Sequence, residues 1–548
     1  MTWWRREVIY QIYPWSFQDS NGDGIGDLAG ITARLDHLRA LGIGGIWLSP
    51  IYPSPMHDFG YDVSEHCAID PRFGTLEDFD RLLQESHRRG IRVLMDLVLN
   101  HTSDQHPWFL EARVSRDSAK RDWYYWADPV GRGWRRRPPN NWQAVFGGSA
   151  WAWDAATEQY YLHSFLKEQP DLNWRNPEVQ SAMEQVARFW LDREVDGFRL
   201  DAINWIGKDV QWPSNPSAAG RDRFRMRSYL RQLHQHDRDQ PETHEALRAL
   251  RKIIDQYPET VLVGEASADT PGGPAAFYGD GTDELHLVFN FRLLKARWGA
   301  ESFRQVIDEW ERAVPSPGWP TQVLSNHDQS RHATRHSRGV SERQRDRRAR
   351  MAALLLLTLR GTPFLYYGEE IGMCDGRLRY RDLRDPYTKR YWPFSPGRDP
   401  ARTPMQWDAT PQAGFTTGRP WLPVSADPDR INVAAQCDDP DSLLTLYRRL
   451  IHLRRTSPAL LDGEYEDLLP EHPTCLVYRR ALPAAVPVDA WIIAANLSPR
   501  PQFVELKLIT PTCRVHVSTD PLAPLDRPHD GAVLLQPEEA LLFRVPPE

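Results

Sequence analysis

The chain has 548 residues, 41% of them hydrophobic and 26% charged, enough to bury at least one large core and to divide into two or three domains. A formal charge of -7 and a pI near 6.2 provide no broad basic field, which argues against nucleic acid or an anionic membrane surface as a partner. The first residues carry no apolar leader segment, and no run of about 18 apolar residues occurs, so a soluble cytoplasmic protein is expected.

Local composition adds little to this. The five cysteines (67, 374, 437, 475 and 513) are odd in number and contain no Cys-x-x-Cys pair, which argues against a disulfide framework and a zinc site. Arginine clusters at 133 to 137 and between Arg338 and Arg350 sit in polar stretches and read as solvated surface. The 22 Trp and 19 Tyr offer flat faces that suit sugar rings, although core packing accounts for most of them equally well.

In chain order, the first apolar β-like run is 8 to 13. Behind it, Asp19-Ser-Asn-Gly-Asp-Gly-Ile-Gly-Asp27 places oxygen donors at every second residue: Asp19, Asn21, Asp23, the Ile25 carbonyl and Asp27. Hard oxygens at that spacing suit a structural Ca2+ or Mg2+, although position twelve is Gly30 rather than Glu and a turn-forming Asp/Gly loop accounts for the same residues. Ile31, Leu35, Leu38 and Leu41 then share a helical face that stops at Gly42, and Thr75 caps a helix running to Gly90. Asn176 followed by Pro177 opens another helix with a stripe of Val179, Met183, Val186 and Trp190.

Further β-like runs fall at 45 to 50, 91 to 98, 196 to 202, 261 to 265, 285 to 290, 322 to 328 and 363 to 368, making eight with the first. Eight strand–helix alternations imply an α/β fold, a (β/α)8 TIM barrel, with its active site at the C-terminal ends of the strands. The expected division is a barrel over 1–101 and 176–462, an inserted domain over 102–175 after strand three, and an antiparallel β-sandwich over 463–548. Residues 371–422 form an irregular excursion within the barrel.

Cleaving a glycosidic bond with retention needs two carboxyl groups about 5 Å apart, one nucleophilic and one protonated. Asp201 and Glu265 each end a predicted strand on an apolar stem, on neighbouring strands four and five. Arg199 shares the face of Asp201 by the period of two and is expected to keep it ionised, although Arg-Leu-Asp alone is equally a structural salt bridge. Asp328 ends strand seven, and His327 and His101 are placed to donate hydrogen bonds to sugar hydroxyls, against the usual fate of a lone strand-end His as a structural residue.

These ordered motifs, Tyr-Gln-Ile-Tyr-Pro (10 to 14), Asp-Leu-Val-Leu-Asn-His (96 to 101), Gly-Phe-Arg-Leu-Asp-Ala (197 to 202), Val-Gly-Glu (263 to 265), Ser-Asn-His-Asp (325 to 328) and Arg-Thr-Pro-Met-Gln-Trp (402 to 407), resemble the α-amylase-type glycoside hydrolases. Within them, the exo-acting α-glucosidase and oligo-1,6-glucosidase branch is the more similar. The resemblance implies Asp201 as nucleophile, Glu265 as acid/base and Asp328 as the acid that grips the sugar. It further implies that Asp58, Tyr61, His101, Arg199, His327 and Arg398 line the subsite for the terminal glucose, and it likewise places a divalent ion in the loop at 19 to 27.

For such an enzyme the substrates are short α-glucosides, maltose-type or sucrose, and the protein a monomer or homodimer with no organic cofactor. The residue after the nucleophile is Ala202, which in that branch goes with α-1,4 rather than α-1,6 preference. Phe-Gly-Gly-Ser-Ala-Trp (146 to 151) resembles α-glucosidases that transfer glucose to alcohols and sugars. Sucrose-cleaving or isomerising enzymes and trehalose synthase share the same acids, and a non-catalytic sugar-binding homologue shares the barrel.

Overall fold

The structure is a computed structural model that describes all residues except 1, 268–269, 271, 426, 484–489, 506–512, 524, 526–530 and 546–548, with the backbone alone at 223–224. Eight parallel strands form its centre: β1 (Ile9–Ile12), β2 (Gly45–Leu48), β3 (Arg92–Val98), β4 (Gly197–Asp201), β5 (Val261–Gly264), β6 (Leu287–Val288), β7 (Thr321–Val323) and β8 (Thr362–Tyr366). Their order is β7-β8-β1-β2-β3-β4-β5-β6, a TIM barrel closed everywhere except between β6 and β7. Helices cover the outer faces of these strands, so the strands read as nearly continuous apolar runs.

β6 and β7 are shorter than the runs that announce them, and no backbone ladder joins them. Thr321 spans the seam: its buried hydroxyl donates to the Val288 carbonyl at 2.6 Å and accepts from the Asn290 N–H at 3.2 Å. β4 opens on Gly197 at φ 143°, where a Cβ would stand 2.1 Å from the Val261 carbonyl, so only glycine lets β4 lie this close to β5.

The helices follow the capping chemistry of the sequence. Thr75 and Asp78 form a capping box at the start of Leu76–Arg88, and the Asn176 side chain accepts from Glu178 N at the start of Pro177–Leu191. Val179, Met183, Val186 and Trp190 are all buried, as the stripe requires. The helix expected to end at Gly42 is two pieces, Leu28–Ala33 and Leu35–Leu41, interrupted at Arg34, whose side chain turns to Gln18 Oε1 and stacks over Trp407.

Between β3 and Pro177–Leu191 lies a small antiparallel sheet of Trp126–Ala127, Gln159–Leu162 and Trp151–Asp154, packed on an aromatic core that includes Trp142, Trp151 and Tyr160. The C-terminal region is an antiparallel five-stranded sheet (Glu464–Asp467, Cys475–Ala481, Ala490–Asn496, Ala540–Val545 and Arg514–Ser518) over a two-stranded ribbon of Gln502–Glu505 and Ala532–Leu535. Its period of two feeds two cores: Leu476, Tyr478, Trp491 and Ile493 join the barrel core, while Cys475, Val477, Ile492 and Phe543 face the ribbon.

The arginines between 338 and 350 are only partly the solvated surface their composition implies. Arg347 donates to the Pro537 carbonyl and Arg348 pairs with buried Glu538, which stitches this helix to the C-terminal region, and Arg350 donates to the Asp441 carbonyl just before helix Leu443–Thr456. Among the described residues no helix is long and apolar enough to cross a membrane.

Thr321→Val keeps the shape of the seam but leaves a buried N–H and C=O without a partner, so unfolding free energy falls by roughly 1–3 kcal/mol. Chemical denaturation of the variant, with secondary structure unchanged by circular dichroism, checks this.

Candidate active site

The site begins with a register. β3 and β4 pair so that Asp96 lies opposite Arg199, and β4's alternation puts Arg199 and Asp201 on the barrel-interior face. Glu265 follows β5 at the same end. One Arg199 nitrogen donates to Asp96 Oδ1 at 2.6 Å and to Asp201 Oδ1 at 2.7 Å, while its other terminal nitrogen binds Glu265 Oε2. Thus a single guanidinium, its side chain 2% exposed, holds three carboxyl groups. After Asp201 the chain turns sharply: Ala202 is left-handed at φ 47° and ψ 41°, which ends β4 and sets its methyl on the cavity wall.

A cavity of about 890 Å³ opens above these acids, lined among others by Asp58, Tyr61, His101, Asp201, Glu265, Asp328 and Arg398. Two further cations organise its other side. Arg398 reaches Asp58 Oδ1 at 2.5 Å and Asp328 Oδ1 at 3.5 Å, and Arg402 reaches Asp328 Oδ1 at 2.8 Å. His101 lies 3.0 Å from Gln169 Nε2, which also donates to Asp58 Oδ2 at 3.2 Å.

Two of the residues expected to line the glucose subsite lie beneath it. His327 is fully buried, with Nδ1 2.7 Å from Gln11 Nε2 and Nε2 2.7 Å from the Tyr61 hydroxyl, so protein groups occupy both ring nitrogens. Arg199 likewise does not reach the cavity wall, because Asp201, Glu265 and the Tyr61 ring lie between. Both support the groups that do touch the cavity.

The electrostatics also depart from expectation. Burial pushes the Asp201 carboxyl well above the ordinary range; Arg199 opposes the rise, and Glu265 and Asp96 add to it. The sequence reading had Arg199 keep Asp201 ionised, but the same cation is shared with two other acids, which weakens its hold on any one. Asp96 is pushed up to about 6 by burial despite Arg199. For Asp328 burial is outweighed by His327, Arg398 and Arg402, which hold it well below the usual carboxylate range. Burial lowers His101 to about 4 and His327 to about 3, so both are neutral rings at physiological pH.

A model of the alpha-amylase catalytic domain matches residues 11–463 of the chain. The chain belongs to the alpha-amylase catalytic-domain family. It is 49% identical to a probable alpha-glucosidase of Rhizobium meliloti (strain 1021) over 85% of this chain and 84% of that protein. It is 40% identical to an oligo-1,6-glucosidase of Heyndrickxia coagulans over 90% of this chain and 92% of that one. Among solved structures, an alpha-glucosyl transfer enzyme, XgtA, superposes with a TM-score of 0.91 at 42% identity over the whole of both chains. The trehalulose synthase MutB from Pseudomonas mesoacidophila MX-45 does so with 0.88 at 34% identity over 99% of each. The protein is therefore a glycoside hydrolase.

In this family member several groups that build the site were missed from sequence. Asp96 carried a signal, an acid inside an apolar strand, which must find a buried cation. Arg402 stands in the Arg-Thr-Pro-Met-Gln-Trp motif but was not assigned to the site. Asp385 caps helix Pro386–Tyr391 and accepts from Arg398 at 2.6 Å, a contact made across an irregular loop that no periodicity announces. Gln11 and Gln169 are buried glutamines whose role appears only once the barrel brings them to His327 and His101.

The loop at 19 to 27 has the oxygen-only donors that a hard cation takes, and it also closes on itself. Asp19 Oδ1 accepts from Asn21 N and Gly22 N, its Oδ2 accepts from Gly24 N and the Thr416 hydroxyl, and Asp23 Oδ1 accepts from Ile25 N. Asp27 caps the following helix through Gly30 N and binds Ser20. Among the described residues no three His, Cys, Asp or Glu side chains converge as a metal cluster. Asn21 Oδ1, Asp23 Oδ1 and Asp27 Oδ1 each accept a single N–H and retain lone-pair capacity, whereas both Asp19 oxygens already accept two bonds; by donor type Asp19, Asn21, Asp23, Asp27 and the Ile25 carbonyl suit Ca2+ or Mg2+. We propose such an ion as a structural clamp on this loop: a chelator lowers the melting temperature and restored Ca2+ or Mg2+ recovers it, whereas an unchanged melting temperature assigns the loop to its hydrogen bonds alone.

Proposed function

We propose that the chain is a retaining α-glucosidase that releases or transfers the non-reducing terminal glucose of short α-glucosides, α-1,4-linked in preference, through a β-glucosyl ester on Asp201. The observation that carries this reading is the shared guanidinium: two nitrogens of Arg199 hold oxygens of Asp201 and Glu265 side by side at one cavity, and retention needs such a close pair of carboxyl groups. The relatives' names, which cover both hydrolysis and glucosyl transfer, support it. Five cysteines that remain thiols suit the cytoplasm as its compartment.

In the first step an Asp201 carboxylate oxygen bonds to glucose C1 while the C1–O bond to the leaving group breaks and Glu265 gives that oxygen its proton. In the second, Glu265 takes a proton from water or an acceptor hydroxyl, whose oxygen bonds to C1 as the Asp201 ester breaks; the α configuration is kept. Asp328, anionic and fixed by Arg402, and Asp58, tied to Arg398, accept from hydroxyls of the terminal glucose, while neutral His101 supplies a further polar contact. Ala202 leaves space beside the bond being cut, with Trp205, Tyr229, Phe165 and Val145 packed around it on the acceptor side.

Wild-type protein incubated with maltose, isomaltose, sucrose and trehalose should release or transfer glucose fastest from maltose. Asp201→Asn lowers kcat by roughly 10⁴-fold and Glu265→Gln by roughly 10²–10⁴-fold. Near-wild-type turnover in either variant, or isomerisation of sucrose as the main reaction, defeats this reading.

The pH dependence has a definite sign. Asp201 reacts as the anion, so activity is lost as pH falls through its pKa; because burial raises that pKa, the acid limb of kcat/KM lies above the ~3.9 of an ordinary aspartate. An acid limb at or below that value contradicts the buried, acid-rich setting.

A further inference from the structure

The cavity is lined by cations as well as by its acids. Besides Arg398 these are Arg225, Arg227, Arg238, Lys295, Arg335 and Arg338, with Asp222 as a further acid among them. Two of them are neutralised by contact, Arg225 by Asp222 at 2.7 Å and Arg238 by Asp239 at 3.1 Å. The other four meet no carboxylate within ion-pair distance among the described residues. Arg227 donates to the Val145 carbonyl at 2.9 Å and lies over the Tyr387 ring; Arg335 donates to the carbonyls of Ser330 and Leu324.

Lys295 and Arg338 are exposed, and their side chains make no hydrogen bond or ion pair among the described residues. They belong to the segments that follow β6 and β7, which His336 ties together by a 3.2 Å contact to the Ala296 carbonyl. Of the floor acids, Asp58 is paired by Arg398 at 2.5 Å and Asp328 by Arg402 at 2.8 Å, while Asp201, 2.7 Å from Arg199, shares that cation with Asp96 and Glu265. A chain of net charge -7 therefore presents, among the described residues, a local cationic collar in the cavity that the non-glucose part of a substrate would occupy.

A neutral terminal glucose gains nothing from that collar. We infer that the preferred leaving group or acceptor at this site carries an anion, a carboxylate or phosphate, received by Lys295 and Arg338. The inference rests on the α-glucosidase reading and specifies the aglycone side of that same site. Charges grouped on a cleft rim raise the local concentration of an oppositely charged ligand, and the effect falls as salt shortens the ~10 Å screening length found at 0.1 M.

The test uses two substrates of closely similar leaving-group electronics, 4-(carboxymethyl)phenyl α-glucoside and its neutral methyl ester, in which a methylene insulates the phenol from the charge, with 4-(phosphonomethyl)phenyl α-glucoside as a second anionic arm. At low ionic strength kcat/KM for the anions exceeds that for the ester roughly three- to tenfold, and the ratio falls towards one in high salt. The double variant Lys295→Glu/Arg338→Glu, both on the exposed rim, reverses the preference while ester turnover stays close to wild type. A preference of the carboxylate arm alone, or of the phosphonate arm alone, identifies which anion the collar takes.

A wild-type ratio at or below one for both anions overturns the inference while leaving the α-glucosidase reading intact. So does a ratio that the double variant does not move. Failure to cleave even the neutral ester would instead overturn the reading on which the inference stands, and the inference with it.

Discussion

Arg199 is the fixed point of this molecule. Its guanidinium, buried in the barrel, binds Asp96, Asp201 and Glu265 at once, and three carboxyl groups around one cation leave an excess of negative charge at a largely buried place that water screens poorly. Such a cluster lowers its energy by retaining a proton, so burial and mutual repulsion push Asp201 and Asp96 up. Acid–base capacity is thus a consequence of how the strands meet. The register that sets Asp96 opposite Arg199 and the turn at Ala202 decide which oxygens share that proton.

The rest of the structure holds that cluster in shape. His327, wedged between Gln11 and the Tyr61 hydroxyl, locks Tyr61 over Asp96 and Arg199. The excursion after β8 folds back over the opening: Asp385 and Asp58 grip Arg398, and Arg402 binds both the His327 carbonyl and Asp328. It is anchored in turn to the segment after β1, through Trp407 Nε1 to the Phe17 carbonyl and the Thr416 hydroxyl to Asp19. The loop at 19 to 27 therefore acts on the site at a distance, by fixing the strip of chain that carries two of its arginines.

The barrel was legible because parallel strands buried on both faces must be apolar, and Ile9–Ile12, Arg92–Val98 and Thr362–Tyr366 are written that way. Asp201 and Glu265 were legible as acids closing such runs. What sequence could not reveal was sharing: that Arg199 serves Glu265 as well as Asp201, or that His327 spends both nitrogens on protein groups, depends on distances between segments remote in the chain. The β6–β7 seam was read as two ordinary strands because a hydroxyl replacing a ladder, as Thr321 does, leaves no periodic mark. Composition also misled at Arg347, Arg348 and Arg350, since a basic run looks alike whether it faces water or the carbonyls and carboxylates of loops remote in the chain.

The central claim is that Asp201 and Glu265, held by one guanidinium, act on a single anomeric carbon, with Asp201 making the bond. The most direct measurement is to incubate the protein with a slow fluorinated α-glucosyl fluoride and locate the mass of one added fluoroglucosyl unit by peptide mass spectrometry. The account predicts an ester on the peptide containing Asp201, lost in Asp201→Asn. Steady turnover of that reagent with no covalent adduct, or an adduct on a different residue, would contradict it.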